Sequence, residues 1–203
     1  MREKLVDYYK SYSIWLHLII IVVLFLGTYA LRHYLFLDDN LVMSSSQKEI
    51  RTEEEMEKAY GGLHFIWSIF NVVSLFKLAY SSVFIAAFVS IFNRLNFKVI
   101  LKLSLFALFV FVAENFAYTF YYLIFPPEII KELGENVFSL QYLFEGDFLS
   151  FLFGQFSLFN ILYLVILAEM IRGFNEGNGK AEIIYLLVFT GFILKILISY
   201  FIF

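Results

Sequence analysis

The sequence predicts an all-α integral membrane bundle of five transmembrane helices, with the N-terminus cytoplasmic and the C-terminus outside. Three observations predict it. First, 61% of the 203 residues are hydrophobic and the mean hydropathy is +0.78. Too little polar surface remains to enclose a soluble core of this size, so lipid is expected to be much of the solvent. Second, the apolar residues gather into runs long enough to cross a ~30 Å hydrocarbon slab at ~1.5 Å per residue. Third, the charges segregate. On the N-terminal side of a five-span path lie Arg2, Lys4, Lys10, Arg94, Lys98, Lys102, Arg172 and Lys180, while the acidic stretches 37–62 and 126–147 fall on the other. Basic residues near span ends stay in the cytoplasm, which sets the orientation.

In order, the polar flank Met1–Tyr12 leads into the first span, 13–36. This run exceeds the ~7–15-residue apolar core of a signal peptide, so an uncleaved anchor is expected. The hydrophilic stretch 37–62 carries Asp38, Asp39, Ser44–Ser46 and the run Glu53-Glu54-Glu55-Met56-Glu57-Lys58. It reads as a polar outer loop or a short surface helix. Its acids do not follow a calcium-loop spacing, and a solvated face is the simpler reading than a cation site.

The second span, 63–93, begins with His64 and Trp67 at the interface. Within it Ala79, Ser82, Ala86 and Ser90 recur at helical spacing, a stripe of small residues that lets another backbone approach. Ser74, Lys77 and Ser81 form a second, polar stripe. A short basic turn, Asn93 to Lys98, precedes the third span, 99–125, which Pro126 and Pro127 terminate by removing amide donors. Glu114, Tyr118 and Tyr121 share one face of it, and Asn115, Thr119 and Tyr122 the adjoining face. Residues 128–145 read either as an amphipathic surface segment, with Ile129, Ile130, Leu133, Val137 and Leu140 at intervals of three to four, or as an ordinary loop around Gly134. The fourth span, 148–171, holds Gln155, Ser157 and Asn160 in its first half and Glu169 near its end, where a snorkelling or Arg172-paired carboxylate is expected. A glycine-rich connection leads to the fifth span, 181–203, with Gly191, Lys195 and Ser199 on one face.

Lys77 and Glu114 are the sharpest clue. Counted from the outer ends of their spans they lie at depths of ~21 Å and ~16 Å, with Lys195 at ~12 Å. A lone charge near mid-membrane costs at least ~2.5–3.5 kcal/mol, so charges of opposite sign at similar depth suggest mutual compensation. Two readings follow: an ion pair or docking charge that fixes helix packing, or a proton or ion relay with Glu114 titrating and Lys77 or Lys195 tuning it. The intramembrane polar cluster expected is therefore Lys77, Glu114, Asn115 and Lys195, with Ala79, Ser82, Ala86 and Ser90 serving helix packing.

An enzymatic role is not expected. The chain has no cysteine, which excludes disulfides, thiolate metal sites and a cysteine nucleophile. His17, His33 and His64 are scattered at or near span ends as interfacial residues, and no zinc-protease, nucleophile-elbow or phosphate-loop pattern occurs. No cofactor, metal or nucleic acid is implied. The expected partners are membrane lipids and other integral membrane proteins or further copies of the chain.

The chain resembles the Yip (Ypt-interacting protein) domain family. The resemblance lies in the basic turn Arg94-Leu95-Asn96-Phe97-Lys98-Val99, in Phe156-Ser157-Leu158-Phe159 leading into the fourth span, and in the turn Gly177-Asn178-Gly179-Lys180-Ala181 before the last, covering roughly residues 63–203. It implies a five-span membrane organiser without enzymatic activity. Without the long cytosolic N-terminal region of the eukaryotic trafficking members, a compact bacterial relative in the inner membrane is expected. The leading expectation is thus a non-enzymatic accessory or scaffolding subunit of a membrane protein assembly. The alternative is a small proton- or ion-coupled transporter component using Glu114 and Lys77.

Overall fold

A computed structural model describes residues 13–36, 73, 75–93, 95–125, 138–139, 147–175 and 180–202. Among them the chain is helical apart from turns and a single β-bridge. The helices are α1 (Ile14–Phe36), α2 (Leu75–Phe92), α3 (Phe97–Ala107), α4 (Phe109–Ile124), α5 (Asp147–Gly154), α6 (Leu158–Phe174) and α7 (Ala181–Ile202). Three apolar stretches, Leu75–Phe92, Phe97–Tyr121 and Ala181–Phe201, are long and apolar enough to cross a membrane. Their outward side chains are large and apolar: Phe76, Ile91, Phe120 and Phe201 are each 60% or more exposed. Water would penalise that surface and lipid does not, so these helices mark a membrane protein. The expected loop 37–62, the first ten residues of the expected second span and most of 126–146 lie outside the described residues.

The turn between α2 and α3 is built by its asparagines. Asn93 Oδ1 accepts from the Leu95 amide at 3.0 Å, and Asn96 Oδ1 accepts from the Lys98 amide at 2.7 Å. Asn96, in extended conformation, thereby caps α3 and satisfies an amide that the helix leaves orphaned. From there the chain runs through α3 into α4 with one tightening at Leu108, where the amides of Leu108 and Phe111 reach back three residues instead of four.

α6 is the central helix. It packs against α3, α4 and α7, and α1 lies along α4 and α3. Its inward side chains Phe159, Tyr163, Leu164, Leu167, Ala168 and Ile171 are buried. Ring contacts fix directions: Phe111 meets Tyr163 at 5.4 Å, and Phe138 bridges Tyr118 and Phe159, so α4 and α6 are antiparallel. Phe156 meets Phe192 and Phe151 meets Tyr200, which makes α7 antiparallel to α5 and α6. The small-residue stripe of α2 divides. Ser82 and Ala86 are fully buried together with Ile85 and Val89, Ser90 is half-buried with its hydroxyl on the Ala87 carbonyl at 2.8 Å, and Ala79 is exposed.

Two expectations are corrected here. The fourth span is not one continuous helix: it breaks at Gln155–Ser157 into α5 and α6. Gly154 favours helix poorly, and Ser157, extended, caps α6 by accepting from the Asn160 amide at 3.0 Å. His17, expected at the interface, is buried instead. Its ring stacks on Phe106 at 4.8 Å and meets Phe109 edge-on at 4.9 Å, because α1 runs alongside α3 and α4.

Candidate intramembrane polar site

A helix interrupted within an apolar run must satisfy the backbone groups it frees, since hydrocarbon offers no partners. Three contacts do so here. The Leu158 amide donates to the Phe138 carbonyl at 2.9 Å, and Ser139 pairs with Ser157 as an antiparallel bridge. Asn160 Nδ2 donates to the Gln155 carbonyl at 2.9 Å. Thus Phe138 and Ser139, part of the stretch for which a surface helix was one reading, sit against the break. The Phe138 ring packs edge-on to Tyr118 at 5.0 Å, Tyr121 at 6.4 Å and Phe159 at 5.4 Å. The remainder of 128–145 lies outside the described residues.

The antiparallel register puts Glu114 and Asn115 of α4 near the level of Asn160, and Lys195 of α7 near the level of Gln155. These polar residues therefore lie within about two helical turns of one another along the helix axes. They do not form one cluster. Glu114 is half-buried and has no hydrogen-bond or ion-pair partner among the described residues. Beside it, Asn115 Nδ2 is buried without an acceptor, while the Asn115 carbonyl takes the Thr119 hydroxyl at 2.8 Å.

The two lysines stand elsewhere. Lys77 is exposed on α2; Lys195 is half-buried on α7, its Nζ 5.7 Å from the Phe192 ring centroid, a cation–π contact. The lysines are within electrostatic reach of each other and neither makes an ion pair among the described residues. The structure therefore groups Glu114 with Asn115 and Lys77 with Lys195, and does not join Glu114 to either lysine. The physical reason is rotational. On α2 the buried face is that of Ser82, Ile85, Ala86 and Val89, and Lys77 falls to its side, on the face of Ser81, Phe84 and Phe88 that turns toward α7. Matching depth did not bring the charges together because the helix faces do not match.

Near the end of α6, Glu169 does pair with Arg172, at 2.5 Å, and also accepts from the Tyr185 hydroxyl of α7. That carboxylate is compensated within the chain, as its position one helical turn from Arg172 led us to expect.

Sequence reasoning missed a deeply buried polar cluster. Tyr163 is essentially inaccessible, with its hydroxyl 2.5 Å from Ser104 Oγ and 3.3 Å from Ser82 Oγ. Ser104 Oγ also donates to the Ser82 carbonyl at 3.4 Å. One consistent arrangement has Tyr163 donating to Ser104, Ser104 to the Ser82 carbonyl and Ser82 to Tyr163, so every hydroxyl is satisfied while α2, α3 and α6 are tied together. The available signal was a lone tyrosine and a lone serine, each inside a run of aliphatic and phenylalanine residues. Among the described residues no group of three or more histidine, aspartate or glutamate side chains gathers to hold a metal ion. No protein-family model, no curated protein and no solved structure matches the chain.

Proposed function

We propose that the chain is a non-enzymatic accessory or scaffolding subunit of a membrane protein assembly. In this reading it is a Yip-like protein of five spans, lying in a bacterial inner membrane with its N-terminus in the cytoplasm and its C-terminus outside. One observation carries the reading: Glu114, inside an apolar span, has no partner among the described residues and lies beside an Asn115 amide that also lacks an acceptor there. An uncompensated charge in a span costs at least ~2.5–3.5 kcal/mol, and a hydrogen-bonding or basic group on a neighbouring protein or a second copy would offset it. The fold itself does not call on Glu114, since the Ser82–Ser104–Tyr163 hydroxyls and the Glu169–Arg172 pair hold the helices together without it.

The test is purification of wild type and Glu114→Gln in mild detergent, with mass spectrometry of whatever accompanies them. Docking through Glu114 predicts reproducible partners, or a dimer, that weaken in the variant while its helical content is unchanged. A lone, well-folded protein from both would end the reading.

One observation favours a second reading, a small proton- or ion-coupled transport component. Discontinuous helices line midplane ion sites in transporters, and here the α5–α6 break lies within about two turns of Glu114. In this reading Glu114 is the titrating group, and Lys77, standing on the α2–α7 seam, is not the group that tunes it. Proton flux into liposomes that is abolished by Glu114→Gln would decide for it.

A further inference from the structure

The seam between α2 and α7 brings two lysines together in an apolar setting. Its register follows from Gly191: a Cβ there would lie 2.9 Å from Phe88 Cδ1, so the backbone of α7 rests against the Phe88 ring. Proceeding from that contact toward the C-terminus of α7, Gly191, Lys195 and Ser199 recur at helical spacing. α2 is antiparallel to α7, so the same direction on α2 leads from Phe88 through Phe84 and Ser81 to Lys77. Two ammonium groups and two hydroxyls thus line one seam, with the lysines in electrostatic reach of each other and neither in an ion pair among the described residues.

Like charges so placed repel unless an anion lies between them. We propose that this seam binds the phosphodiester of an anionic phospholipid, with Lys77 and Lys195 as its ligands. Three features favour a lipid over the carboxylate of a partner helix. Lys195 lies about 8 Å below Tyr200, which packs against Phe148 at the start of α5, and Lys77 stands in electrostatic reach of it, so both are within reach of the headgroup layer for snorkelling lysines. The flanking side chains Phe76, Tyr80, Ile198 and Phe201 are exposed and apolar, which suits acyl chains running beside the helices. A phosphodiester shares one negative charge between two non-bridging oxygens, each able to accept from one ammonium, and basic pockets between transmembrane helices hold such headgroups. The site depends on the membrane placement of α2 and α7 and not on docking through Glu114.

The test is native mass spectrometry of the full chain, released from micelles supplied with phosphatidylglycerol or phosphatidylcholine. The proposal predicts retained phosphatidylglycerol, with a preference over phosphatidylcholine of roughly thirtyfold for two lysines near the headgroups. Lys77→Gln with Lys195→Gln abolishes that preference, and Lys77→Arg with Lys195→Arg, which keeps both charges if the glutamine pair fails to fold, preserves it. Equal retention of the two lipids by wild type overturns the proposal. So does a preference that survives in a folded glutamine pair, or displacement of the lipid by millimolar inorganic phosphate, which would mark a free-anion site. A protein that accompanies wild type and is lost only from the glutamine pair would assign the seam to a partner's carboxylate instead. The measurement uses added lipid alone, so its failure leaves docking through Glu114 standing.

Discussion

Tyr163 and Asn115 are opposite cases of a polar side chain inside an apolar bundle. Tyr163 is satisfied on both sides by serine hydroxyls from two other helices. Removing its hydroxyl leaves Ser82 Oγ without its acceptor, and Tyr163→Phe should destabilise the protein by about 0.6–1.7 kcal/mol, between the average and the largest value for hydrogen bonds between membrane helices. Reversible unfolding in mixed micelles measures this, and an unchanged midpoint would mean that the hydroxyl cluster contributes nothing. Asn115 is the reverse, since its Nδ2 is buried and unmet. Replacing an unsatisfied donor by an apolar group of similar shape removes a penalty. Asn115→Leu should therefore stabilise the isolated chain by about 1 kcal/mol while weakening any partner held at α4. A variant both less stable and equally well partnered would show that Asn115 serves internal packing. The hydroxyl cluster was only half legible in the sequence. Ser82 stood out within a stripe of small residues, whereas Tyr163 and Ser104 are single polar residues in apolar runs, and only their meeting in three dimensions gives them meaning.

At the level of elements, the α5–α6 break and the α2–α7 contact each hang on one residue. Ser157 caps α6, and losing the side-chain acceptor should cost about 0.5–2 kcal/mol, so Ser157→Ala should lower the thermal midpoint and speed amide exchange at the start of α6. Protection unchanged in the first turn of α6 would refute the capping role. At Gly191 any side chain must displace the Phe88 ring. A flexible ring yields to a small group, but Gly191→Leu overfills the seam and should cost about 1–3 kcal/mol, with Gly191→Ala much milder. Equal stability of the two variants would mean that α2 and α7 do not approach as closely as they do here. The break was written in the sequence as Gly154-Gln155-Phe156-Ser157 with Asn160 three residues beyond the serine. Hydropathy averages over such a motif and reads one long helix, because the flanking phenylalanines and leucines outweigh three polar residues.

For the whole molecule, the testable quantity is which side of the membrane each loop occupies. The chain has no cysteine, so single-cysteine variants report topology cleanly. The proposed topology, five spans with the N-terminus inside, predicts that Ser45→Cys in intact cells reacts with an impermeant maleimide and that Ser11→Cys reacts only after the membrane is opened. The opposite pattern would invert the orientation, and labelling of both from one side would change the number of spans before residue 45.

The sequence by itself determined the environment and the main apolar helices: long apolar helices for lipid, a basic asparagine turn before α3, and a carboxylate near the end of α6 within one turn of its arginine. These are properties of local composition and spacing, which need no knowledge of what a helix packs against. Only the tertiary structure decided which polar groups meet. Glu114 and Lys77 have similar depths, and depth is linear in residue number, so the sequence suggested a pair. Contact also requires the two helices to turn matching faces to each other, and rotation about the axis is set by the packing of Ser82, Ile85, Ala86 and Val89 into the core. That packing turns Lys77 toward Lys195 and leaves Glu114 with Asn115, so charges that suggest a pair in one dimension stand apart in three.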